Sequence, residues 1–186
     1  MKSLAALLVT LLWVAPSLAG EYQSATVAQD MSFVAIATQS GEIHAPRTLD
    51  DQQGFSDALV SPNGSLVGWL ALVGNCCTSY PLPMALVIFR HGQVIRTISE
   101  KQPIFHWSFV RQGTAVAYQQ TFPHGLVPYF YKLRRISDGK LLEEFDCRPK
   151  ETEVGTPAEY EDDGPVPPWV WPLAELSDCP VRAHGS

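Results

Sequence analysis

Along residues 30 to 145 the apolar positions gather in short runs rich in Val, Ile, Phe and Tyr, and the runs break at Gly-containing turns. This is the pattern of strands joined by hairpins, without the three-and-four recurrence of an amphipathic helix. It predicts strands at Phe33–Thr38 and Glu42–Ala45 around Gln39-Ser40-Gly41, and at Asp57–Val60 and Ser65–Val73 around Ser61-Pro62-Asn63-Gly64. Arg90-His91-Gly92-Gln93 joins Ala85–Phe89 to Val94–Ile98, and Arg111-Gln112-Gly113 joins Phe105–Val110 to Thr114–Gln120. A fifth hairpin runs from Tyr129–Ile136 through Ser137-Asp138-Gly139 to Lys140–Phe145. Asn63-Gly64 and Asp138-Gly139 are the firmest turns, because these residue types reach positive φ at little cost. No long helix is predicted.

The hairpins repeat. A shift of 49 lays Gly64-Ser65-Leu66-Val67-Gly68-Trp69 on Gly113-Thr114-Ala115-Val116-Ala117-Tyr118, with small, apolar and aromatic positions in the same order. Shifts of 47 and 51 align Arg90–Ile95 with Ser137–Leu142, and Ser40–Ile43 with His91–Val94. A period of about 48 residues holding two hairpins is the content of one four-stranded propeller blade. The fold class expected is therefore all-β: antiparallel four-stranded blade-like units, as a partial β-propeller or an open β-sandwich, with a Pro-rich acidic C-terminal tail. Trp69 and Tyr118 are expected at equivalent, buried strand positions.

Ser61-Pro62-Asn63-Gly64, between Val60 and Ser65–Trp69, resembles the Ser-Pro-Asp-Gly strand-turn-strand signature of TolB-type, WD40-like β-propeller repeats, with Asn63 at the usual aspartate position. The resemblance covers two units over about 58–145 and a half unit over about 31–46. It implies blades around a central axis and a rigid platform for protein contacts. The second unit has Gly113 and Tyr118 but no Ser-Pro, and two and a half units fall short of the four or more that close a ring. The open edges are then covered by the tail or by a second copy of the chain, or the strands form a sandwich.

Composition adds compartment and organisation. Met1-Lys2-Ser3 precedes an apolar run from Leu4 to Val14, and small Ser17 and Ala19 follow it, the pattern of a secretory signal peptide cut after Ala19. The run is shorter than the about 20 residues of a spanning helix, so a secreted or periplasmic product without a membrane span is expected. With 13 Lys+Arg against 19 Asp+Glu, a nucleic-acid partner is disfavoured. The balance shifts near Phe145: Gly20 to Leu142 holds 9 basic and 8 acidic residues, whereas Glu143 to Ser186 holds 3 and 11, with 7 of the 15 prolines. This divides the chain into a signal peptide (1–19), a β-repeat domain (20–145) and an acidic Pro-rich tail (146–186).

Cys76, Cys77, Cys147 and Cys179 read as disulfides in an exported chain, which has enough core to fold without them. A Cys76–Cys77 bond would be strained, so each is expected to pair with Cys147 or Cys179, tethering the tail to the Asn75–Ser79 loop. Adjacent cysteines without a nearby histidine do not make a zinc site. His44, His91, His106, His124 and His184 show no ligand spacing, and His106, beside Trp107, is the one expected to be buried.

There is no G-x-S-x-G elbow. The acidic run Glu159-Tyr160-Glu161-Asp162-Asp163-Gly164 places Val170 where a calcium loop needs its bidentate carboxylate, so it reads as a solvated face. Pro165–Pro172, with Trp169 and Trp171, should be extended and adhesive. It either packs on the domain itself or offers the two tryptophans to a partner. No catalytic residue, metal site or cofactor is assigned. The expectation is a non-enzymatic, exported β-repeat protein binding a protein or cell-envelope component through its loops, with homo-oligomerisation through open sheet edges as a further route to partners. The alternative is a small secreted hydrolase or glycan-acting protein using the loop carboxylates Asp50, Asp51 and Asp57 with His124.

Overall fold

A computed structural model describes residues 20–76, 78–123, 126–149, 160–162 and 166–174. Within them the chain forms three antiparallel sheets that lie face to face in series and do not close into a ring. The first sheet is β1 (Tyr22–Val27), β2 (Val34–Thr38) and β3 (Gly41–His44), in that order. The second is a four-stranded meander of β4 (Gln52–Val60), β5 (Val67–Val73), β6 (Leu82–Arg90) and β7 (Gln93–Ser99). The third repeats this meander with β8 (Ile104–Val110), β9 (Ala115–Phe122), β10 (Leu126–Arg135) and β11 (Leu141–Pro149), and adds β12 (Tyr160–Asp162) at its edge.

Three apolar layers hold the series together. Tyr22, Val34 and Ile36 of the first sheet meet Phe55, Val67, Trp69, Val87 and Phe89 of the second. From its other face, Leu66, Leu70, Leu86, Ile88 and Ile98 meet Ile104, Trp107, Phe109, Val116 and Tyr118 of the third. Because the second sheet is covered on both sides, its central strands need no polar face, and the nearly unbroken apolar runs of β5 and β6 follow from that. The outer face of the third sheet carries Ala117, Tyr131, Leu133 and Phe145, covered by Trp169, Val170 and Leu173 of the tail. The short helix α1 (Trp171–Ala174) continues that cover.

The 49-residue shift corresponds to a structural equivalence. Trp69 on β5 and Tyr118 on β9 are both fully buried, and each faces the preceding sheet. Gly64 and Gly113, which the same shift aligns, both have positive φ, 66° and 82°. The first sheet matches the last three strands of the unit, since β2 and β3 align with β6 and β7.

The strand pattern departs from the sequence reading at the ends. β1 was not anticipated. β4 begins at Gln52 instead of Asp57, because Gln52 and Phe55 are buried and the Gln52 side chain accepts the Thr48 amide at 2.9 Å. β11 runs past the compositional break at Phe145 to Pro149. The acidic run, expected to be a solvated face, supplies β12, which pairs with β11 from Cys147↔Asp162 to Pro149↔Tyr160.

Candidate functional site

In an up-and-down meander alternate turns fall at the same end, so the sequence order decides which loops share a rim. The turns β2–β3, β4–β5, β6–β7, β8–β9 and β10–β11 all lie at one end, with the start of β1. Contacts between turns agree with this. A Cβ on Gly113 would lie 3.5 Å from Ser61, and one on Gly64 only 2.7 Å from the Gly20 backbone.

The Ser61-Pro62-Asn63-Gly64 turn is held by its own side chains. The Ser61 hydroxyl accepts the Leu66 amide at 2.9 Å and donates to the Asn63 carboxamide oxygen, which also accepts the Ser65 amide at 3.1 Å. The Gly64 amide donates to the Ser61 carbonyl at 2.8 Å and its carbonyl accepts the Tyr22 amide at 2.9 Å. The signature residues therefore form a turn that clamps the first sheet to the second. At the β6–β7 and β10–β11 turns, His91, Gly92 and Gly139 take positive φ.

Where neighbouring layers meet, clefts open on this rim, and three of them are lined by described residues. Between the first and second sheets a cleft of about 650 Å³ is lined by Glu21, Gln39, Ser40 and Gly92, with the Glu21 carboxylate 2.6 Å from Nδ1 of His91. Between the second and third sheets a cleft of about 450 Å³ has Leu66, Ile95 and Ile136 in its lining, together with Arg90, Arg135 and Thr114. Between the third sheet and the tail, about 610 Å³ is bounded by Phe109, Val110, Arg111, Glu143, Trp169 and Pro172. There Glu143 pairs with Arg111 through one oxygen and accepts the Trp169 indole N–H at 2.7 Å through the other.

A second polar cluster sits in the layer between the second and third sheets. Glu100 accepts the Tyr118 hydroxyl at 2.5 Å and pairs with Arg134 at 2.9 Å and Lys132 at 3.0 Å. Arg134 also donates to the Tyr118 hydroxyl at 2.6 Å. Burial pushes the Glu100 carboxyl up, but the Tyr118 hydroxyl and the Lys132 and Arg134 cations outweigh it and hold it below the usual carboxylate range. Burial, reinforced by Glu100, pushes the Tyr118 phenol far above its ordinary value. The sequence gives little signal for this cluster, because Glu100 and Lys132 are 32 residues apart and no local pattern links them.

The other residues singled out from the sequence are scattered. His106 is half-buried, and burial lowers its pKa against the opposing charge of Asp57. Asp57 sits at a β-bulge with φ 48°, where its carbonyl accepts the Trp107 indole N–H at 2.7 Å. Asp50 and Asp51 are exposed in the turn before β4, and five strand residues lie between Asp51 and Asp57, a separation of roughly 15–20 Å along the strand. That exceeds the about 5–9.5 Å of a catalytic carboxylate pair. His124 and His184 lie outside the described residues, as do Cys77 and Cys179. His44 stacks on Phe33 at 4.5 Å and is exposed. Among the described residues no group of His, Cys, Asp and Glu could hold a metal ion, and no helix is long and apolar enough to cross a membrane.

Cys76 lies in the β5–β6 loop and Cys147 near the end of β11, both at the end opposite the rim, and neither is a free thiol. Trp169 packs into the chain's own core, whereas Trp171 is 54% exposed. No protein-family model and no curated protein matches the chain.

Proposed function

We propose that the chain is an exported, non-enzymatic β-repeat protein that holds a protein or cell-envelope partner against its turn rim. The reading rests on one observation: successive layers open clefts at the same end, each combining apolar and polar groups from the turns and strand ends of packed sheets. Turns on a rigid scaffold are where binding residues concentrate. Kinship with TolB-type propeller repeats, supported by the Ser61–Gly64 turn and the blade-like meanders, belongs to the same proposal. So do a signal peptide and a disulfide tie between the Asn75–Ser79 loop and the tail, which would fix the end remote from the rim.

Photo-crosslinking in the native host tests the rim. A crosslinking residue at exposed Ser137, on the rim, is expected to capture one defined partner, and the same residue at exposed Ser79, at the opposite end, is not. Equal capture at both positions, or none at Ser137, would contradict the proposal.

A further inference from the structure

We infer that the cleft between the second and third sheets binds an extended acidic peptide segment, its carboxylates meeting Arg90 and Arg135 while a neighbouring apolar side chain enters over Leu66, Ile95 and Ile136. The inference rests on the rim being the partner-binding face, and it names the chemistry bound there.

Charge matching separates this cleft from its two neighbours. In the cleft beside the first sheet, Glu21 already faces His91 at 2.6 Å. Beside the tail, Glu143 already holds Arg111 and Trp169. In the middle cleft Arg90 is exposed, and its side chain has no ion-pair or hydrogen-bond partner among the described residues. Arg135 gives one guanidinium nitrogen to Asp138 at 2.9 Å and remains 45% exposed. A guanidinium carries five N–H donors in a planar fork, so both arginines keep donors for a carboxylate, which the fork can meet in bidentate fashion.

The walls are fixed before any ligand arrives. Arg96, whose stem runs beside Gly139, donates to the Ile136 carbonyl at 3.1 Å and the Ser137 carbonyl at 2.6 Å. The Ile136 amide donates to the Thr114 carbonyl at 3.1 Å. These bonds tie the β10–β11 turn to β7 and to the start of β9, so binding loses little freedom in the protein. A volume of about 450 Å³ suits a few residues of extended chain and not a folded domain. The chain's formal charge of −6 opposes acidic ligands in general, so the unpaired Arg90 beside Arg135, which is only partly engaged by Asp138, selects by position.

Panning a random heptapeptide library against the full chain tests the inference. Recovered sequences are expected to be enriched in Asp or Glu beside an apolar residue, and the strongest, as a labelled synthetic peptide, to lose affinity when NaCl rises from 50 to 500 mM. Arg90→Glu, which removes no ion pair or side-chain hydrogen bond, is expected to weaken that peptide at least tenfold with unchanged circular dichroism. The same reversal at exposed Lys101 should have no effect. Recovery of neutral or basic sequences, no recovery, or equal affinity for the Arg90→Glu chain would each overturn the inference. Partner capture at Ser137 alongside any of these results would leave the rim reading standing and remove only the acidic ligand, whereas acidic peptides bound through Arg90 without capture at Ser137 would remove the partner.

Discussion

Gly68 has no room for a side chain: a Cβ there would lie 2.5 Å from Cη2 of Trp107, the indole that seats the third sheet on the second. Gly68→Ala is expected to force the indole outward and cost about 1–3 kcal/mol, typical of an overpacked core. The urea midpoint should fall with an unchanged slope. Trp69 and Tyr118 occupy equivalent places but differ in chemistry. The Trp69 indole N–H is buried without a partner among the described residues, whereas the Tyr118 hydroxyl bonds both Glu100 and Arg134. Glu100 also sets a pH dependence. Its carboxyl lies lower in the folded chain than its ordinary 4.5, so its contribution is complete above about that pH and is lost as the pH falls through the folded value. Glu100→Gln should destabilise by roughly 2–3 kcal/mol at pH 7, by removing the buried carboxylate shared by Lys132 and Arg134 and leaving Lys132 only the exposed Glu144 at 3.8 Å. The gap between variant and parent in chemical denaturation should narrow below pH 4.5. A gap that stays constant from pH 7 to pH 3 would show that Glu100 is not held as an anion by these cations.

Turns and the tail strap act at the level of elements. Gly64 and Gly92 both have positive φ, but a Cβ on Gly92 meets nothing within 4 Å, whereas one on Gly64 strikes the Gly20 backbone. Gly92→Ala should therefore cost about 1 kcal/mol, for the left-handed backbone alone, and Gly64→Ala distinctly more, in paired thermal melts. Trp169→Ala removes the largest buried side chain of the strap over Tyr131, Leu133 and Phe145. It should expose that layer to a hydrophobic dye and lower stability by about 3 kcal/mol. Unchanged dye binding would mean that the strap is not seated there. These elements also show what a sequence can reveal. β5 and β9 and their turns were legible, because their apolar runs and Gly-bearing turns are local properties. β1 and β12 were not: Tyr22-Gln23-Ser24-Ala25-Thr26-Val27 is largely polar or small, and Tyr160-Glu161-Asp162 is charged, so each is a strand only through its pairing with β2 or β11. The clefts were illegible for a similar reason. Arg90 and Arg135 are brought together by the packing of two sheets, and no spacing in the chain announces it.

At the scale of the molecule, the architecture is a short stack of repeated meanders. Its first sheet ends in a small, polar outer face, with Ala35, Ala37, Glu42 and His44, and its last is covered by the strap. This arrangement ends the stack without closing a ring, and it puts the turn clefts side by side on one rim. The whole account depends on the three sheets being packed in this order. The most direct test is nuclear Overhauser contact in solution across the two interfaces, between the Trp107 indole and Gly68 Hα, and between the Tyr22 and Phe89 rings, whose centroids lie 6.1 Å apart. Cross-peaks at both are predicted. Intact strand pairing within each sheet, with no cross-peak between Trp107 and Gly68, would contradict the stack and remove the rim built on it.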